Sequence, residues 1–174
     1  MFSDSEYLKI LIMVRDDPCT IKLVHNQTYE LCRMSIQLNS HVIEHIRDQT
    51  FELCELAIRS DPCTIKYIHN QTFELCELAI RSDPCTIKHI RNQTVELCKL
   101  SIQLNPHTIE YIHDQTFELC ELAIRSDRTA FFHIHNKTLK LHKLATKNML
   151  FECISDDMYE QNCSYICKCF GKIR

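Results

Sequence analysis

The chain has 174 residues, enough for one ordinary domain, and its 45% apolar and 25% charged residues give a globular balance and not a disordered one. One glycine and four prolines leave almost nothing from which to build a loop-rich β-sandwich, a glycine-lined phosphate cradle or a dinucleotide-binding turn. A net charge of −3 from 20 basic and 23 acidic residues excludes a global pull on polyanions while leaving room for a local basic strip.

In chain order, the first feature is an apolar stretch at 10–14. It follows Asp4 and Glu6 instead of a basic region, so it does not read as a secretion signal. No apolar run in the chain approaches the roughly 18 residues of a membrane span. Twelve cysteines are about 7% of the chain, short of the roughly 8–10% that marks a disulfide scaffold. Together these predict a protein that is neither secreted nor membrane-inserted and that keeps its thiols reduced. Asn-x-Thr sequons occur at Asn26, Asn70, Asn92 and Asn136, but the same repeat position holds Asp48 and Asp114. That exchange is turn chemistry, not glycosylation.

The triplet Asn/Asp-Gln-Thr begins at residues 26, 48, 70, 92 and 114, with Asn136-Lys137-Thr138 as a degenerate copy, a period of 22 without a slip. Carried back to Asp4 and forward to Asp157, the phase gives units 4–25, 26–47, 48–69, 70–91, 92–113, 114–135 and 136–157, and leaves a tail of 158–174. In the first unit Leu8 and Leu11 fall where the third unit has Glu52 and Glu55, and Lys9 falls at the position of Leu53. Its face is therefore expected to be rotated or covered. Its leucines are expected to meet another chain or the incoming N-terminus, which would make the first unit a route to a homo-oligomer.

Unit 48–69 shows the pattern most clearly. Thr50 is a good N-cap for a helix from Phe51 to Ser60, with Leu53, Cys54, Ala57 and Ile58 on one side and Glu52, Glu55 and Arg59 on the other. Asp61 then caps a second helix with Pro62 at its first position, where a missing N–H costs nothing. This helix is expected to run to about His69 on an apolar line of Ile65 and Ile68 with Thr64 beside them, and the following Asn or Asp to take the left-handed closing conformation. Helices this short are marginal alone, so stacking must hold them. The predicted fold is all-α: an α-solenoid of seven 22-residue helix-turn-helix repeats with a Cys-rich C-terminal cap at 158–174.

Columns of equivalent residues agree with stacking. Ser35, Ala57, Ala79, Ser101, Ala123 and Ala145 are small side chains that allow close helix approach. Arg33, Glu55, Glu77, Lys99, Glu121 and Lys143 suggest a surface salt ladder between units. Cys32, Cys54, Cys76, Cys98 and Cys120 fall on the buried side, about 9–10 Å apart in neighbouring units and so beyond the roughly 7 Å Cα limit of a disulfide. They read as small buried hydrophobes. Cys63 and Cys85 stand at the first turn of the second helix, where a helix N-terminus can lower a thiol pKa, but no His-acid relay accompanies them.

The segments Asn70-Gln71-Thr72-Phe73-Glu74-Leu75-Cys76 and Asn92-Gln93-Thr94-Val95-Glu96-Leu97-Cys98, each followed one residue later by Leu-Ala-Ile or Leu-Ser-Ile, carry a resemblance. They resemble the short 22-residue helical repeats of giant DNA viruses of amoebae, a family classed as a domain of unknown function. The likeness covers roughly residues 26–147. It implies a viral protein located in the cytoplasm of the infected host cell or in the virion, and it brings no catalytic or binding residue with it. The chain departs from that family by placing Asp-Pro where a glycine is frequent between the helices.

The most enzyme-like string, His41-Val42-Ile43-Glu44-His45, matches the H-x-x-E-H pattern of some zinc proteases. Equivalent columns read Cys63, Lys66 and Tyr67 in the next unit, so independent columns explain it more cheaply. His41 with His45, and Cys85 with His89, are i,i+4 pairs able to share a metal ion, and Cys153, Cys163, Cys167 and Cys169 are unevenly spaced candidates in the tail. None of these amounts to a committed site: no catalytic residue, metal or cofactor is expected. What remains is a surface on the second helix. Lys66, Tyr67, Lys88, His89 and Tyr111, with His69, Arg91 and His113 beside them, interleave cations and aromatics along an extended face. The sequence therefore predicts a non-enzymatic interaction module that binds a protein partner along this face. The alternative is a nucleic-acid-binding repeat protein, since aromatic and basic side chains also stack on single strands.

Overall fold

The computed structural model describes residues 4–146, and among them there is no strand. Seven α-helices alternate with six short 3-10 helices: α1 Asp4–Asp16, η1 Pro18–Leu23, α2 Tyr29–Leu38, η2 Ser40–His45, α3 Phe51–Ser60, η3 Pro62–Tyr67, α4 Phe73–Ser82, η4 Pro84–His89, α5 Val95–Leu104, η5 Pro106–Tyr111, α6 Phe117–Ser126, η6 Arg128–His133 and α7 Leu139–Thr146. The tail 158–174 and the end of the expected seventh unit lie outside the described residues. Successive α-helices pack on one another, successive 3-10 helices do the same, and each α-helix touches the 3-10 helices before and after it. The result is an all-α solenoid of two layers, as the period of 22 predicts.

Local signals place each element. The hydroxyl of Thr50 accepts from the Leu53 N–H and opens α3, and Thr28, Thr72, Thr94 and Thr116 do the same for α2, α4, α5 and α6. Asp61 serves two helices at once. Its N–H donates to Ala57 O at 2.9 Å, ending α3. Its carboxylate accepts the Cys63 N–H at 2.9 Å and its carbonyl accepts the Thr64 hydroxyl at 2.7 Å, opening η3. Asp61 alone stands between the two helices, so the turn angle is fixed by one backbone conformation, φ −146° and ψ 110°.

The second helix departs from expectation in type and in length. Pro62–Tyr67 is a 3-10 helix and stops at residue 67; Ile68 closes it in extended conformation, φ −78° and ψ 126°, where a left-handed Asn or Asp was expected. Its three-residue turn suits an apolar line with a spacing of three: Ile65 and Ile68 both lie on the core side, fully buried, with Thr64. The core runs unbroken between the layers, with Leu53, Ala57 and Ile58 from an α-helix meeting Ile65 and Ile68 from the 3-10 layer, and the equivalent positions buried in the units of α2 to α5.

The joint between units is carried by one side chain. Gln71 donates through Nε2 to Ile65 O of the preceding 3-10 helix at 2.8 Å and to His89 O of the next at 3.1 Å, while its Oε1 accepts the Arg91 N–H at 2.9 Å. Gln27, Gln49, Gln93 and Gln115 repeat the bridge. In the last copy Lys137 replaces glutamine and donates to Phe132 O and Ile134 O. An ammonium has no acceptor, so Lys137 cannot receive a backbone N–H as the glutamines do.

Two surface expectations change. Glu55 pairs with Arg59 of its own helix, as the i,i+4 spacing predicts, and Glu77 and Glu121 do the same with Arg81 and Arg125, all at 2.6–2.8 Å, so these carboxylates are spent within helices and do not form the expected ladder between units. In α1 the buried side is Tyr7, Ile10, Leu11 and Val14, an i, i+3, i+4, i+7 line. The face is rotated as expected, but only Leu8, 59% exposed, looks outward, whereas Leu11 packs against the core.

Replacing Gln71 by leucine strands two carbonyls and one N–H at a single joint. With unsatisfied groups costing about 1–3 kcal/mol each when buried and water able to reach this partly exposed site, the variant should lose about 2–4 kcal/mol in urea unfolding. An unchanged midpoint would show that water replaces the amide at no cost.

Candidate interaction surface

The 3-10 layer offers a continuous outer face because its side chains recur once per unit at nearly constant orientation. Lys66 and Lys88 are exposed, while Tyr67, His89 and Tyr111 are half-buried beside them. The Lys66 ammonium lies 4.6 Å from the centroid of the Tyr67 ring, and Lys88 lies 5.6 Å from that of Tyr111 in the next unit. His41 meets the Tyr67 ring edge-on with centroids 5.7 Å apart. Burial, followed by the nearby Lys88 and Lys66 charges, holds His89 below the ordinary histidine value. It is therefore neutral near pH 7, and the charge of the patch comes from the lysines.

Five of the eight residues singled out from the sequence, Lys66, Tyr67, Lys88, His89 and Tyr111, thus form one neighbourhood. The other three differ among themselves. Arg91 is exposed, but its guanidinium donates to His69 O and Ile68 O of the preceding unit, both at 3.0 Å. Its charge is anchored to the backbone. Arg47 does the same to His25 O at 2.7 Å. His69 and His113 are exposed, with their backbone N–H groups held by Gln49 and Gln93.

The protease-like string does not assemble. His41 Nε2 lies 2.8 Å from Asp61 Oδ2 of the next unit, and the Asp61 carboxyl is held below the ordinary carboxylate range first by the Cys63 N–H and then by His41. His107 meets Asp127 at 3.2 Å and His133 meets Glu110 at 3.1 Å, further bridges between units. Because η2 and η4 have three residues per turn, side chains four apart diverge by about 120°. The pairs His41 with His45 and Cys85 with His89 therefore do not share a face as they would in an α-helix. Among the described residues no three His, Cys, Asp or Glu side chains gather where they could hold a metal ion. The cysteine cluster of the tail lies outside the described residues.

The thiols divide by environment. Cys32, Cys54, Cys76 and Cys98 are buried, and burial pushes each thiol up to about 11. Cys120 is raised for the same reason. The sulfurs of Cys54, Cys76, Cys98 and Cys120 point back at the glutamine carbonyls, as Cys54 does toward Gln49 O at 3.6 Å. The eight described cysteines are all free thiols. At Cys85 the expected lowering by a helix N-terminus is reversed: burial, and then the Asp83 carboxylate, raise it. Asp83 caps that terminus itself, accepting the Cys85 N–H at 2.9 Å, so the thiol faces an anion instead of open N–H groups.

Two shallow clefts, of about 210 Å³ beside α1 and η1 and about 140 Å³ beside α5, fall below the roughly 300–1,000 Å³ of small-molecule sites. No described helix is long and apolar enough to cross a membrane.

Stacked units, a shared core and an extended outer face define a repeat protein of the solenoid class. A family model described as the BspA type leucine rich repeat region, in six copies, matches residues 16–124 and 44–165. The chain belongs to that family. Membership in a repeat family agrees with the sequence reading, but the family is this one and not the giant-virus domain of unknown function that the Asn-Gln-Thr units resemble. No curated protein and no solved structure matches the chain. Leucine-rich repeats commonly place a strand and a helix or 3-10 segment in each unit; here the described units have an α-helix and a 3-10 helix, with only the short extended step at residues such as Ile68 between them.

The feature that sequence reasoning missed is the glutamine. Its recurrence marked the period, yet its role depends on three backbone groups that lie 6 residues before and 18 to 20 residues after it. Since the buried thiols are protonated and shielded, native protein at pH 8 should react with a thiol reagent only slowly at Cys32, Cys54, Cys76 and Cys98. Cys76→Ser should cost about 1–3 kcal/mol and Cys76→Ala less, because a hydroxyl is costlier to bury. Rapid labelling of these four in folded protein would contradict their burial.

Proposed function

We propose that the protein is a non-enzymatic binding module whose 3-10 layer engages a protein partner. The observation that supports this most directly is the neighbourhood of Lys66, Tyr67, Lys88, His89 and Tyr111, in which half-buried rings are flanked by exposed ammonium groups. Rings of this kind supply area at low entropic cost, and lysines at the rim steer a partner of opposite charge. A partner with an acidic rim and apolar groups able to cover the two tyrosines fits best. From the likeness of the Asn-Gln-Thr units to giant-virus repeats, its proposed setting is the cytoplasm of an infected cell or the virion.

Affinity capture with the full chain, with and without nuclease, followed by variants of the surface, tests this reading. Tyr67→Ala with Tyr111→Ala should weaken partner binding more than Lys66→Glu with Lys88→Glu, while helix content stays unchanged in both. A partner lost on nuclease treatment, with binding that falls steeply with salt and a slope reduced by about two phosphate contacts in the lysine variant, would instead establish nucleic acid as the ligand.

Self-association through the first unit is the second part of the proposal. Leu8, Ile12 and Met13 lie exposed on α1, the first of the described helices. If this end pairs with a second copy, Leu8→Glu with Ile12→Glu should halve the mass measured by light scattering. A parent already monomeric at high concentration would remove the idea.

A further inference from the structure

The α-helical layer carries a second row of side chains that the 3-10 face does not use. The first residues of α2, α3 and α4 are Tyr29, Phe51 and Phe73, each 46–47% exposed although large and aromatic. The equivalent residue of α6, Phe117, is half-buried, and the ammonium of Lys140, the second residue of α7, lies 4.1 Å from its ring centroid. In the earlier units the place of Lys140 is taken by Glu52, Glu74 and Glu96, which are exposed and engage in no ion pair among the described residues.

The chain thus closes one ring with its own cation and leaves three rings open, each with a carboxylate where the closing cation would stand. Both the negative face of an aromatic ring and a neighbouring carboxylate attract a cation. We infer that Tyr29, Phe51 and Phe73, with Glu52, Glu74 and Glu96, are three successive seats for the lysine or arginine side chains of an extended basic peptide. This site lies on the other layer from the surface proposed above and does not depend on that reading.

The spacing selects the conformation of the peptide. Packed helices stand about 8–10 Å apart, so the seats recur at that interval. A β-strand repeats each side at about 6.7 Å, which falls out of step. A polyproline II helix brings every third side chain to the same side after about 9.3 Å, which stays in step over three seats. The occupant is therefore a basic segment in polyproline II conformation with a cation at every third residue. The row ends where Val95 replaces the ring and Lys140 replaces the carboxylate.

Fluorescence anisotropy of a labelled peptide of repeated Arg-Pro-Pro triplets against the full-length chain tests the inference. The parent should bind it in preference to the same peptide with glutamine in place of arginine. Phe51→Ala with Phe73→Ala should weaken binding by about tenfold or more, and Glu74→Gln with Glu96→Gln by about threefold or more. Val95→Phe with Lys140→Glu should extend the row and tighten binding by about threefold or more, a gain that misfolding cannot produce. Lys66→Glu with Lys88→Glu should not weaken it, which separates this face from the 3-10 face. Equal affinity for the glutamine peptide, an unchanged affinity in the ring variant, or no gain in the extended variant would overturn the assignment.

Discussion

The whole assembly depends on how the gap between neighbouring units is bridged. In a β-sheet successive strands stand about 4.8 Å apart and join directly through their backbones. Helices need about 8–10 Å, and at that distance the backbone of one unit cannot reach the next. The carboxamide of Gln49 spans the gap as a detached peptide group would, donating to Ile43 O and Tyr67 O and accepting from the His69 N–H. A glutamine spans each of the five extended steps from η1 to η5, with Lys137 in its place at the sixth, and the register of the layers follows from it.

That bridge also decides which surface is available for binding. The amide holds the backbone at residues 67 and 69, so the side chains between and beside them are presented at fixed height and interval. Where arginine follows, as at Arg47 and Arg91, it reinforces the joint by reaching back to the preceding carbonyls. Where histidine follows, as at His69 and His113, its N–H is held by the glutamine without that added reach. The alternation of Arg and His that reads in the sequence as one cationic stripe is in the structure an alternation between reinforced and unreinforced joints.

Much of the fold was legible because its determinants are local and periodic. The Thr50 cap, the double role of the Asp61 turn and the buried set Leu53, Cys54, Ala57 and Ile58 follow from residues within one helix length of each other. The type of the second helix was not legible in the same way. Ile65 and Ile68 satisfy a three-residue turn, but a spacing of three also fits an α-helix, and only the closing geometry at Ile68 separates the two. Long-range partners were legible least. Glu55 had candidates both along its helix and across units, and the near geometry won. Lys140 stands 23 residues beyond Phe117, and only the stacking of the units sets it over that ring. Of the candidate surface, the residue types and their order were readable, and the diversion of Arg91 into the scaffold was not.

The identity of the joints has a consequence at the level of the gene. Helices α3, α4 and α6 share the sequence FELCELAIRS, and the bridges on either side of them involve the same atoms. A duplication or loss of 22 codons, or 66 nucleotides (22 × 3), therefore exchanges one satisfied joint for another. Near-identical coding segments in tandem are also the substrate for unequal recombination. Length in such a protein is a quantity that a single replication error can change in whole steps.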